Sequence, residues 1–255
     1  MTKVSEIFGY LCELAPLELQ MSFDNAGLLL GRSGAEVSRV LLSLDVTTDV
    51  IREAVDKKAE LIVSHHPLFL EARKTITDGD PDGEKLLLLA ENRLAVISMH
   101  TNLDIASGGV NDVLLGLFGA IPEGALDADG CGRIGRLPAP AALETFLPFC
   151  KDLLHTAGLR YYDAGKPVHR LAVMGGSGGG SIQRAYELGC DTYLTSDIKY
   201  HQFLLAKELG INLIDGDHFC TEAPVMKMLA KSLSARFPDL SVLMTEVHGQ
   251  TARFA

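Results

Sequence analysis

The chain has no tryptophan, no C-x-x-C pair, and fewer cations than anions: 23 Lys and Arg stand against 33 Asp and Glu, a net charge of -10. Each lack excludes something. Without a paired-thiol motif, and with five cysteines (Cys12, Cys131, Cys150, Cys190 and Cys220) scattered and odd in number, neither a disulfide framework nor a thiolate zinc site is indicated. The acidic surplus disfavours a nucleic-acid backbone or an anionic membrane as main partner, although a small anion can bind where cations gather. No apolar run approaches the roughly 18 residues that a membrane helix needs. The opening stretch MTKVSEIFGYLCEL places Val4, Ile7, Phe8, Leu11 and Leu14 at helical spacing and lacks the pattern of an export signal. A cytoplasmic protein with no membrane partner is expected.

What is present is ordinary for a globular enzyme: 255 residues, 47% hydrophobic and 22% charged, with 25 glycines. Short apolar or β-branched runs, VLLSLDV from 40, LIVS from 61, LAVISM from 94, LAVM from 171, TYLTS from 192, INLID from 211 and SVLMTEV from 241, alternate with helical patterns such as Val50, Ile51, Ala54 and Val55. Such alternation predicts an α/β fold with mixed, largely parallel sheets, in which sites gather at the carboxyl ends of strands.

The chain also repeats itself. Residues 39–66 overlay 170–197 without a gap, Arg39 meeting Arg170, Ile51 meeting Ile182, Ala54 meeting Ala185 and Glu60 meeting Asp191. Each copy reads strand, turn, helix, strand, polar tip. Two related α/β halves are expected, 1–125 and 126–255, interlocked, with the seam at 122–141 where Gly, Pro and Asp cluster without periodicity.

Three strand exits carry side chains suited to metal. VSHHP offers His65 and His66, which strand alternation would point apart, toward two different centres. SMHTNLD offers His100 and Asp104. DGDHFCTE offers Asp215, Asp217, His218 and Glu222, the last two on one face if the segment is helical. Imidazole and carboxylate without an obligatory thiolate suit zinc, manganese, iron or nickel. A carboxylate can bridge two ions, and Glu222 is placed in that role.

Each of these residues has a plainer reading. A lone histidine on an apolar strand is usually a satisfied core or surface residue, and His155, His169 and His248 are left as such. Co-occurrence at three strand ends lifts the others above that level. GGSGGGS, 175–181, sits where backbone N–H groups can cradle phosphate, but it lacks a P-loop ending, so a flexible turn is preferred. TSDIKYH offers Lys199 and His201 as anion contacts, against a solvated helix start. Asp24 and Asn25 in FDNAGLLLGR read as a turn held by side-chain to backbone bonds.

The ordered set SFDNAGLLLG, VSHHPLF, MHTNLDIASGGVND, TYLTSDIKYH and IDGDHFCTE resembles the NIF-three-like dinuclear metal centre family, also called GTP cyclohydrolase 1 type 2 homologues. The resemblance covers nearly the whole chain and thins between about 125 and 165. It implies two α/β halves packed around a shared dinuclear site, with two divalent ions held by His65, His66, Asp104, His218 and Glu222. His100 would stand beside them as a proton carrier, and the assembly would be a hexameric ring. The family usually has Trp where this chain has Phe23, Gly where it has Asp217, and T-G-D where it has TSD. Phe23 is expected to keep an apolar plug, and Asp217 to add a carboxylate that alters metal preference or narrows the mouth.

Two functions follow as expectations. One is a metal-dependent hydrolase acting on a nucleotide or related small molecule through a metal-bound hydroxide, with His100 or His201 shuttling a proton. The other is a non-enzymatic metal-binding, metal-delivery or regulatory scaffold protein.

Overall fold

In the computed structural model, residues 2–254 are described. The chain folds into two compact units, Met1–Ala106 with Met226–Gly249, and Ser107–Val225 with Gln250–Ala255. Among the described residues no helix is long and apolar enough to cross a membrane.

The first unit is built on a five-stranded sheet in the order Ser241–Met244, Arg39–Ser43, Leu61–Ser64, Ala95–Ser98, Gly27–Leu30. The first four strands run parallel and the last is antiparallel to its neighbour. Leu61–Ser64 and Ala95–Ser98 are buried along their whole length, as parallel strands covered on both faces must be. Leu41, Ile62 and Val96 pack with Val50 and Ile51 of helix Thr48–Asp56 and with Leu89 of helix Pro81–Glu91. The opening helix forms as its spacing predicts, over Val4–Leu14, burying Val4, Ile7 and Leu11.

The second unit holds a six-stranded sheet in the order Ile121–Ala125, Arg133–Ala141, Val168–Val173, Thr192–Thr195, Asn212–Asp215, Arg160–Tyr162. Its central three strands are parallel and the flanking ones antiparallel. Leu171, Leu194 and Ile214 meet Leu114 and Phe146 in the core.

The internal repeat is real at the level of register. Val40 pairs Leu61 and Leu41 pairs Ile62; at the same offset that aligned Arg39 with Arg170, Leu171 pairs Thr192 and Ala172 pairs Tyr193. Of the matched pairs, the polar ones lock the unit. Glu60 accepts the backbone N–H groups of Ser38 and Arg39, and Asp191 accepts those of His169 and Arg170. The Arg39 guanidinium donates to the Lys57 carbonyl at the end of its helix, and Arg170 donates likewise to Leu188. Each device ties the start of the first strand to the far end of its own βαβ turn, while the matched apolar pairs, Ile51 with Ile182 and Ala54 with Ala185, are buried on the two crossover helices.

The segment read as an aperiodic seam is a β-hairpin, Ile121–Ala125 against Arg133–Ala141. Every residue of its first strand is exposed. An edge strand facing water on both sides has no alternation to show, and such a strand tolerates Pro122 and Gly124. Gly27–Leu30 and Arg160–Tyr162 are also edges of their sheets, and at four and three residues they are too short to show a period.

Candidate functional site

In the first unit, strand Leu61–Ser64 delivers His65 fully buried and His66 partly buried. The two rings do not point apart. Their centroids are 5.0 Å from each other, and the His100 ring lies 5.2 Å from His65 and 5.5 Å from His66. One ligand-capable atom from each of the three falls within 4.8 Å of the others. Strand alternation fails here because the ladder ends at the Ser64 to Ser98 pair, and the backbone bends at the doublet itself. Asp104, on helix Thr101–Ile105, brings Oδ1 to 3.6 Å from His65 Nε2.

Each of these rings is held by its Nδ1. His65 Nδ1 donates to the Met99 carbonyl at 2.8 Å, His66 Nδ1 to Asp45 Oδ1 at 2.7 Å, and His100 Nδ1 to Asp24 Oδ1 at 2.7 Å. A carbonyl can only accept, so Nδ1 of His65 carries the proton and Nε2 is the lone-pair nitrogen of the neutral ring. Carboxylates at Asp45 and Asp24 favour the same tautomer. Metal-ligating histidines are oriented in this way, by a carboxylate or carbonyl on the nitrogen away from the ion.

The acids behind the rings are locked in the ionised form. Burial alone would raise the Asp24 carboxyl, but hydrogen bonds from His100 and Thr101 outweigh it and hold the group well below the usual carboxylate range. For Asp45 burial again opposes, and bonds from His248 and His66 again win. Asp24 also accepts the backbone N–H of Thr101 at 2.9 Å, so it fixes both His100 and the start of the helix that carries Asp104. Its bond from the Asn25 N–H makes the expected turn, but the larger task is this one. Phe23 stands 63% exposed, not buried as a plug.

In the second unit, strand Asn212–Asp215 leads into helix His218–Glu222, whose i, i+4 ends meet with His218 Nε2 3.2 Å from Glu222 Oε2. His218 Nδ1 donates to Asp197 Oδ2 at 2.7 Å, the same orienting arrangement. Glu222 is buried. The glycine stretch is neither a loose turn nor a phosphate cradle. A Cβ on Gly176 would lie 2.1 Å from Glu222 Oε1 and 3.1 Å from His218 Nε2, and one on Gly178 would lie 2.4 Å from Thr195 Oγ1. The N–H groups of Gly175, Gly176 and Gly178 are taken by Asn111, Thr221 and Thr195 side chains. Glycine is needed because the loop presses against the acid and its neighbours.

The remaining acids of this exit have structural work. Asp215 accepts from Arg160 Nε at 3.2 Å and from the Ile198 N–H. Asp217 caps the short helix, accepting the Cys220 N–H at 3.2 Å. Its own backbone sits at φ 71 and ψ 135, a conformation that favours glycine. Asp217→Gly is therefore expected to relieve strain of about 1 kcal/mol against a cap loss of a few tenths. The metal-free chain should melt about 1–3 °C higher with metal binding unchanged. A thermal melt with metal titration checks this; a drop in metal affinity would make Asp217 a ligand-side residue. His201 is exposed in the first turn of helix Tyr200–Leu209, and Lys199 and Tyr200 beside it are exposed too.

The sequence reading passed over Asp24, Asp45, Asp197 and His248. His248, set aside as isolated, donates Nε2–H to Asp45 Oδ2 at 2.7 Å. For two of the acids a signal existed. Asp45 follows one parallel strand and His66 the next; Asp197 and His218 stand in the same relation at the same spacing. Adjacent parallel strands end side by side, so an acid at one exit faces a histidine at the other.

The profile of the Duf34/NIF3 family (NGG1p interacting factor 3) matches residues 2–251. A GTP cyclohydrolase 1 type 2 homolog of Clostridium perfringens is 33% identical over 241 residues, covering 92% of each chain. The GTP cyclohydrolase 1 type 2 of Helicobacter pylori strain J99 is 31% identical over 235 residues, 91% of this chain and 92% of that one. Among solved structures, a Bacillus cereus protein related to NIF3 superposes with a TM-score of 0.92 at 23% identity, over 100% of this chain and 99% of the other, which bears on the fold.

Proposed function

This chain belongs to the Duf34/NIF3 family, and from that premise we propose that it binds two divalent metal ions and acts as a metal-dependent hydrolase on a nucleotide or related small molecule. His65, His66 and Asp104 would supply one part of the ligand set and His218 and Glu222 the other. The observation that carries this reading is the common orientation of the rings. His65, His66, His100 and His218 all engage Nδ1 with a carbonyl or a carboxylate. Histidines prepared alike, three of them in the ligand set and the fourth beside it, fit nitrogen ligation better than unrelated core hydrogen bonds.

The donor set fits the ions. Neutral imidazole nitrogens and carboxylate oxygens match zinc, iron, manganese or nickel. Such ions, when bound, supply Lewis acidity toward a carbonyl or phosphoryl oxygen and lower the pKa of water. The chain's own residues do the rest. Asp24 and Asp45 keep His100 and His66 in one tautomer, the glycine loop keeps Glu222 in place, and His100 holds or releases a proton at Nε2 toward a reacting group. His201, exposed on its helix, is the second proton carrier in this reading.

The name borne by the Helicobacter pylori relative points to GTP as the first substrate to try. A hexameric ring belongs to the same proposal. Helix Tyr200–Leu209 buries only Ala206 and leaves Tyr200, Leu204 and Leu205 exposed, an apolar face that a second copy would cover; a monomeric mass in solution would contradict it.

The test is metal analysis of protein purified without added metal, followed by assay of formate and phosphate release from a nucleotide panel. The expected result is bound metal and turnover in the parent, both lost in His65→Ala. Bound metal with no turnover of any nucleotide would instead establish the non-enzymatic metal-binding or scaffold role.

A further inference from the structure

Asp45 carries two imidazoles, one on each oxygen. Oδ1 accepts from His66 Nδ1 and Oδ2 from His248 Nε2, each at 2.7 Å. Asp24, the acid behind His100, is completed differently: its second oxygen is taken by the backbone N–H and hydroxyl of Thr101. At Asp45 a residue 203 positions away from it in the chain fills that place.

The tail that brings His248 there is itself fastened. After strand Ser241–Met244, the Thr245 hydroxyl and the Glu246 N–H both donate to the carboxylate of Glu53. Lys57 Nζ lies 2.8 Å from Glu53 and 3.3 Å from Glu246. Glu53 is buried beside Val50, Ile51 and Ala54 on the inner face of its helix. A buried carboxylate is costly unless its hydrogen bonds are made, and here they go to the tail. Glu53 therefore specifies where residues 245–248 run, and so where His248 sits.

We propose that His248 is a positioning residue for the metal ligand His66. A carboxylate bonded through one oxygen can swing about its own axis; with a donor on each oxygen it cannot, and the His66 ring is held with Nε2 aimed at the cation. This rests on the metal-binding reading above. By reciprocity of linked equilibria, a cation at His66 must in turn steady the tail.

The test uses zinc ion alone on the full chain. Dissociation constants are measured by chelator competition for the parent, His248→Leu, His248→Gln and His66→Ala, with metal-free melting curves for each. The leucine variant is expected to bind zinc about tenfold more weakly, the lower end for loss of an outer hydrogen-bond partner. Glutamine, which keeps an N–H donor, should recover most of that loss. Zinc should also slow amide exchange over residues 245–249 in the parent and not in the leucine variant. If His248→Leu binds zinc like the parent while His66→Ala has lost affinity, the inference is overturned and the metal site stands. If His248→Leu weakens zinc only as far as it lowers metal-free melting, with no rescue by glutamine, His248 is a tail pin and the inference fails. If the parent takes up no zinc, or His66→Ala binds like the parent, the metal reading at His66 falls and takes the inference with it.

Discussion

Replacing Glu222 by glutamine is expected to strip the protein of most of its bound metal while leaving the metal-free chain at least as heat-stable as the parent. The substitution keeps the shape of the side chain and removes its charge. Glu222 is buried, at 4% exposure, with His218 Nε2 at 3.2 Å. A carboxylate taken out of water is expensive unless a cation or good hydrogen bonds compensate it. If its purpose is to hold metal, the charge serves the cation, and in the metal-free protein a buried amide of the same shape carries a smaller desolvation cost than a buried carboxylate, as is usual where a site trades stability for function. The opposite sign has a clear meaning. Were His218 a permanent imidazolium between Asp197 and Glu222, removing one acid would break a partly buried ion pair and cost about 3–5 kcal/mol. Paired melting curves with and without metal separate the two outcomes.

Gly176→Ala is the second large effect. The new methyl group would enter at 2.1 Å from Glu222 Oε1, at a backbone φ of +64. The left-handed conformation alone costs a non-glycine residue about 1–2 kcal/mol, enough to lower melting by a few degrees and not to unfold the chain. The clash falls on the far end of a side chain that can swing away, so the fold survives and the carboxylate is displaced. His218 Nε2, 3.1 Å from the same methyl, is crowded as well. Metal affinity is expected to fall by about 100-fold, the upper end for disturbing the support of a ligand, in a protein whose circular dichroism is unchanged. Gly180→Ala is the matched control, since nothing lies within 4 Å of its added carbon. Equal loss in both variants would mean that the loop acts through flexibility and not through its closeness to Glu222.

The central strands and the candidate ligand residues were legible in the sequence because both are written locally. All seven expected strands are present, six of them mostly buried and the seventh, Ser241–Met244, a half-exposed edge. The doublet at 65 and 66 and the His218 to Glu222 spacing announce themselves within five residues. What supports them does not. Asp24 lies 76 residues from His100, and His248 lies 203 from Asp45. No window along the chain joins such partners; only the topology does. Asp217 shows the reverse: its carboxylate looked like site chemistry, and it is a helix cap on a backbone that prefers glycine. The glycine stretch was misread for a related reason. Sequence reveals that a segment can bend freely, and not what has been packed against it.

The most direct test is a crystal of the zinc-loaded protein with anomalous diffraction recorded at the zinc edge. Two peaks about 3.5–4 Å apart, ligated by His65, His66, Asp104, His218 and Glu222, are the expected result. One peak alone, or peaks that leave either His65 or Glu222 outside the ligand set, would contradict a pair of cations shared by residues from both parts of the chain.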